Sequence, residues 1–137
     1  MAELKIGDNA PGFKGKTLAL YFYPKDNTPG CTKEACSLRD GHKKLKKAGI
    51  EVVGVSPDSE QSHKKFTEKY KVPFKLIADP DKILAKKYGV LGEKTMFGKS
   101  FFGIKRTTFI IEKGKIKHII KTVDTNDHAN QILKLIK

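Results

Sequence analysis

Thr17-Leu18-Ala19-Leu20-Tyr21-Phe22-Tyr23 runs directly into Pro24-Lys25-Asp26-Asn27-Thr28-Pro29-Gly30-Cys31, and Thr32-Lys33-Glu34-Ala35-Cys36 follows. The first stretch is aromatic and aliphatic and reads as a strand. The second carries two prolines and a glycine, so it extends neither a strand nor a helix. In the third, Ala35 begins a helical pattern continued by Leu38, His42 and Leu45. A strand, a broken loop and a helix start together put Cys31 at a helix N-terminus. Backbone N–H groups and the helix dipole there favour a thiolate over a thiol. The chain has two cysteines, and the other is Cys36. The segment predicts redox chemistry on sulfur, with Cys31 as the reacting atom.

Outward from this segment, strand and helix patterns alternate. Ala48-Gly49 closes the first helix, and Ile50-Glu51-Val52-Val53-Gly54-Val55 reads as the next strand. Ser56-Pro57-Asp58-Ser59 offers caps for a helix through Tyr70. Val72 to Ile77 reads as a short strand with Pro73 at its beginning or on an edge, and Asp79-Pro80-Asp81 opens a short helix ending near Tyr88-Gly89. The glycine-rich stretch from Val90 to Phe102 reads as a long loop. Arg106–Ile111 and Lys115–Ile120 flank Lys113-Gly114, a hairpin turn, and Asn126 or Asp127 caps a closing helix. The expected architecture is a single α/β domain over residues 1–137, a central mixed sheet flanked by helices, with Cys31 at the carboxyl end of a central strand.

Composition excludes several function classes. Hydrophobic residues make up 38% of the 137 and charged residues 31%, ordinary values for a globular domain. No apolar run is long enough to span a membrane, and Met1–Asp8 lacks the basic and apolar regions of a secretory signal, so a cytoplasmic location is expected. In a reducing compartment a cysteine pair is catalytic more often than structural. The net charge of +13 is almost all lysine, since Arg39 and Arg106 are the only arginines, and the lysines run from Lys5 to Lys137. That spread does not match a nucleic-acid binder, which gathers charge on one face and uses arginine for phosphate. His42 and His63 with two cysteines five apart match no zinc spacing, so no metal is expected. His118 and His128 read as surface residues.

Activating an ordinary thiol from a pKa of about 8.5 to near 6 takes roughly 3.4 kcal/mol. A helix N-terminus supplies about 0.5–2 kcal/mol, so a second positive group is required. Arg106 fits, because guanidinium is always charged and can donate to sulfur and to a bound peroxide together. Thr28, three residues before Cys31, can turn its hydroxyl back toward the sulfur, and Pro24 and Pro29 stiffen the loop. Five residues of helix separate two Cα atoms by roughly 8.6 Å and turn them about 140° apart. A disulfide tolerates about 7 Å. Joining Cys31 to Cys36 therefore requires the first helical turns to unwind.

The Pro24–Cys31 segment resembles the peroxiredoxin active-site pattern, and Thr-Pro-Gly-Cys-Thr-Lys-Glu-Ala-Cys is similar to the atypical two-cysteine branch called peroxiredoxin Q or bacterioferritin comigratory protein. Similarity continues through Val53–Ser56, Tyr88–Val90, Gly92–Lys94 and Gly103–Phe109. The resemblance implies a thioredoxin-like fold and reduction of hydrogen peroxide and organic hydroperoxides. It implies Cys31 as the peroxidatic cysteine and Cys36 as the resolving one, joined in a disulfide that thioredoxin or a similar dithiol reopens. Pro24, Thr28 and Arg106 complete the implied pocket. Members need no metal, flavin or haem, and the branch is commonly monomeric. One departure is the direct junction Phe13-Lys14-Gly15-Lys16, where members carry a longer segment; it puts the N-terminal strands and one wall of the site in question.

The alternative from the residues alone is a thiol-disulfide carrier without peroxidase activity, which usually spaces its cysteines by two residues instead of four. Phe101 and Phe102 are candidates to line an entrance for apolar hydroperoxides.

Overall fold

The computed structural model describes residues 4–96 and 98–136. Twelve elements follow in chain order: β1 (Leu18–Phe22), α1 (Pro29–Asp40), α2 (His42–Lys47), β2 (Glu51–Ser56), α3 (Glu60–Tyr70), β3 (Lys75–Ala78), α4 (Ile83–Lys87), β4 (Leu91–Met96), β5 (Lys99–Ile104), β6 (Thr107–Glu112), β7 (Lys115–Ile120) and α5 (His128–Leu135). Five strands form one sheet in the order β3-β2-β1-β6-β7. β1 and β2, and β2 and β3, run parallel, whereas β1 with β6 and β6 with β7 are antiparallel. The sheet is mixed, as expected, and β1 at its centre is buried along its whole length.

Strand alternation divides the core into two layers. Ala19, Tyr21 and Tyr23 face a cluster with Cys31, Ala35, Leu38, Val52, Phe66 and Ile132. Leu18, Leu20 and Phe22 face the opposite way, onto Val53, Val55, Tyr88, Phe109 and Ile111. β1 therefore delivers the loop that carries Cys31 from the middle of the sheet, and α1 folds back over one face.

The helix after Cys31 is interrupted where one continuous helix was expected. Gly41 separates α1 from α2, and a Cβ at Gly41 would collide with the Cβ of Ala129 on α5. Close approach of α5 leaves no room for a side chain at the break, a contact across distant sequence. His42, expected on the inward stripe, is half-buried beside the ring of Phe74, centroids 6.0 Å apart. The expected loop from Val90 to Phe102 is instead a two-stranded ribbon of β4 and β5. Gly92 and Gly103 face each other in it. Glycines at paired positions erase the alternation by which a strand is recognised. The Phe101 and Phe102 side chains, and Phe97, lie outside the described residues. The Lys113-Gly114 turn forms as read, with both residues at positive φ (50° and 81°), the requirement of a type I′ hairpin.

The short N-terminal junction is accommodated by a clasp. Ala10 N donates to Gly114 O at 2.8 Å, and Gly114 N donates to Lys16 O at 2.8 Å, so residues 10–16 grip the β6–β7 turn from both sides. Phe13 N donates to Ala10 O and Lys16 N to Phe13 O, folding the intervening residues into consecutive tight turns. Among the described residues no strand precedes β1 beyond an isolated bridge from Asn9 to Lys115. The clasp lies at the β6–β7 turn, away from the helix start that carries Cys31.

Candidate active site

Thr28 is the N-cap of α1, in extended conformation, and Pro29 occupies the first turn where its missing N–H costs nothing. Cys31 therefore sits in the first helical turn, 2% exposed. Arg106, between β5 and β6, points Nη2 at Cys31 Sγ from 3.2 Å. Gly30 makes room for it: a Cβ there would stand 3.2 Å from the same nitrogen. The structure thus brings Cys31 and Arg106 together. Thr28, half-buried, donates its hydroxyl to the carbonyl of Lys25 at 2.9 Å, leaving its oxygen lone pairs as acceptors. Pro24, half-buried, turns the chain out of β1. Cys36 is half-buried on the same helix, and both cysteines are free.

Sequence reasoning missed what stands behind Arg106. Glu34 is 0% exposed and accepts from Arg106 Nη1 at 2.7 Å through Oε1. Its other oxygen, Oε2, has no hydrogen-bond partner and lies 3.6 Å from His128 Nε2. His128, expected at the surface, is 0% exposed. Gln131 Oε1 already accepts from Asp124 N, so it also accepts from His128 Nδ1, at 2.8 Å. His128 Nε2 is then free to accept from the Thr108 hydroxyl at 2.8 Å. Burial pushes the imidazole pKa down and keeps the ring neutral. The signal for Glu34 was available: a carboxylate three residues after Cys31 shares its inward helix face with Leu38. His128 gave none, since Thr108 on β6 and Glu34 on α1, which bury it, are distant in sequence.

Burial raises the Glu34 carboxyl to about 7, against the pull of Arg106. In the folded state it holds its proton more tightly than in the unfolded chain, where 4.5 is ordinary. The stability that it contributes is complete below about 4.5 and is lost as pH rises toward 7. We expect Glu34→Gln to flatten that slope, measured as the difference in thermal midpoint between pH 5 and pH 8 for the two proteins. An unchanged slope would rule out Glu34 as its source.

At the front of the loop lies a second polar group, buried Asp26 and His63 with half-buried Asp58, whose ligating atoms fall within 4.8 Å of one another. Among the described residues this is the set that could hold a metal ion, but its atoms are already engaged with each other and with the backbone.

The model of the AhpC/TSA family matches residues 7–119 of this chain. The chain belongs to that family. It is a peroxiredoxin of the peroxiredoxin Q or bacterioferritin comigratory branch, and an enzyme of the peroxidase class. A Coxiella burnetii relative, named as a putative peroxiredoxin Bcp, is 48% identical over 96% of this chain and 97% of its own length. Their alignment runs over 147 residues against a chain of 137, so the relative carries residues this peroxiredoxin lacks. A bacterioferritin comigratory protein of Xanthomonas campestris, described for alkyl peroxide reduction, superposes with a TM-score of 0.83 at 37% identity, over 90% of this chain and 80% of that one. A cysteine-to-serine mutant of Xylella fastidiosa PrxQ gives 0.90 at 31% identity, over 99% and 97%. The fold of this peroxiredoxin is thioredoxin-like, as theirs is. No helix among the described residues is long and apolar enough to cross a membrane.

Proposed function

We propose that this single-domain chain reduces hydrogen peroxide and organic hydroperoxides at Cys31. The observation that carries the reading is the Arg106 guanidinium 3.2 Å from a buried sulfur at a helix N-terminus. The Cys31 thiolate attacks the terminal peroxide oxygen; an S–O bond forms as the O–O bond breaks, giving the sulfenic acid, and the departing alkoxide or hydroxide takes a proton from water and leaves as alcohol or water. Arg106 neutralises charge on both the sulfur and the departing oxygen. Thr28 offers its oxygen to the peroxide proton, and Pro24 holds the loop that shields the sulfur.

Cys36 then displaces hydroxide from the Cys31 sulfenic acid, giving a Cys31–Cys36 disulfide and water. Thioredoxin or a similar dithiol returns both sulfurs to the thiol state by exchange. The chain acts as a cytoplasmic monomer without a metal or organic cofactor in this reading. Support for the wider substrate range comes from the Xanthomonas relative and its alkyl peroxide reduction.

The test is peroxide consumption by the reduced protein with dithiothreitol as reductant. Cys31→Ser is expected to fall to the background of buffer and reductant. Equal consumption by the variant would return the carrier reading to first place.

A further inference from the structure

We propose that Asp26 and His63 form a pin that fixes the front half of the Cys31 loop to β2 and α3, which makes His63 a positioning residue for peroxide attack. The inference rests on Cys31 being the reacting sulfur and adds a part of the molecule that neither touches substrate nor lies in the Cys31–Arg106 constellation.

Asp26 is 5% exposed and His63 4% exposed, although both are polar. Every polar atom of Asp26 beyond its own carbonyl is engaged. Tyr23, the residue after β1, donates its hydroxyl to Oδ1 at 2.5 Å, and Ser62 on α3 donates to Oδ2 at 2.9 Å. His63 Nδ1 stands 2.7 Å from Oδ2. The Asp26 backbone N–H donates to Asp58 Oδ2 at 2.7 Å, and Ser56 at the end of β2 donates to that same oxygen at 2.6 Å. One loop residue thus ties together β1, β2 and α3.

The ring of His63 is oriented by two acceptors. Nε2 faces the carbonyl of Ile77 on β3 at 3.1 Å, and a carbonyl can only accept. Nδ1 faces a carboxylate, so both nitrogens carry hydrogens and the ring is an imidazolium paired with Asp26. The pair is buried, with side-chain exposures of 5% and 3%. Removing one member of such a pair leaves the other uncompensated, whereas removing both does not.

The next residue shows what the pin holds. Asn27 has a left-handed φ of 63°, and its Oδ1 accepts from Tyr70 at 3.1 Å and Lys69 at 3.4 Å, both on α3. The kink is therefore held on both sides, and immediately after it Thr28 caps the helix that presents Cys31. Slack at Asp26 lets Asn27 relax and shifts the helix start relative to Arg106, which hangs from a different part of the sheet. Peroxide attack needs the sulfur, Thr28 and Arg106 in register, and a misplacement of about 1 Å can cost on the order of 10²-fold in rate. Alkylation by iodoacetamide needs the thiolate but no register of the sulfur with Thr28 and Arg106. The two reagents separate positioning from general damage.

The experiment compares wild type, Asp26→Asn, His63→Gln and the double variant, all checked for native circular dichroism. For each, the second-order rates of Cys31 with hydrogen peroxide and with iodoacetamide are measured on the high-pH plateau, where the thiol is fully ionised in every variant, by quench and mass of the Cys31 peptide, which separates it from Cys36. Expected is a loss of at least about tenfold with peroxide in each single variant and a change of under about twofold with iodoacetamide. The double variant should be no slower than the slower single, because the two residues act as one unit. Losses that are equal for both reagents, no loss with peroxide, or single losses that multiply in the double variant would each overturn the proposal. If His63→Gln does not fold, Asp26→Asn carries the same expectation. A wild-type protein no faster with peroxide than free cysteine would instead defeat the peroxidase reading itself, and the pin with it.

Discussion

Arg106→Met is expected to lower the rate of peroxide reduction by about 10²–10³, the usual cost of deleting one donor aimed at developing charge. Nη2 is the charged donor on the sulfur among the described contacts, at 3.2 Å, and methionine keeps the bulk without the charge. The same change strips Glu34 of its partner at 2.7 Å. Breaking a buried ion pair from one side costs about 3–5 kcal/mol when the remaining charge stays. Glu34 has an escape, since burial already raises its carboxyl to about 7 and loss of Arg106 raises it further. Below that range the acid is neutral and the stability loss is small; well above it, a bare carboxylate is buried. Thermal unfolding at pH 5.5 and pH 8.5 reads this directly, with the variant's deficit larger at pH 8.5. A deficit that does not depend on pH would detach Glu34 from Arg106, and a rate within threefold of wild type would remove Arg106 from the chemistry.

Cys36→Ser is expected to separate the two half-reactions. After one equivalent of peroxide, the wild-type chain loses two hydrogens as the internal disulfide closes, whereas the variant gains one oxygen. The first oxidation proceeds at the wild-type rate in both, since Cys36 is half-buried on a different face of α1 from Cys31. Steady-state turnover falls in the variant to whatever rate the reductant attacks the sulfenic acid directly. In the proposed cycle the closing step has a mechanical cost. Both cysteines lie within the unbroken α1, where ideal geometry keeps them roughly 8.6 Å apart, beyond the span of a disulfide. The Thr32 N to Thr28 O bond at the helix start, and the seats of Ala35 and Leu38, must be given up. Hydrogen exchange across residues 29–38 should therefore quicken on oxidation in the wild type and not in Cys36→Ser. Equal protection in both redox states would require another route to the disulfide.

Much of this was legible in the chain because the signals are local. The strand over residues 17–23, the prolines of the loop and the helix start at Pro29 stand side by side, so Cys31 could be placed without tertiary information. The Lys113-Gly114 turn announced itself by glycine alone. What was hidden depends on partners distant in sequence. Glu34 meets Arg106 across 72 residues, and Asp26 meets His63 across 37. The need for glycine at the α1–α2 break comes from Ala129, 88 residues on. The β4–β5 ribbon was hidden for another reason: its facing glycines and scattered lysines carry no period-two pattern.

The two-sided core has a mechanical corollary. The sulfur and the inward residues of α1 belong wholly to the layer containing Tyr21 and Phe66, and none of them reaches the layer of Phe22, Tyr88 and Phe109. In the proposed cycle each turnover melts and resets one wall while the opposite wall serves as an undisturbed keel, sparing the protein a global refolding after every molecule of oxidant.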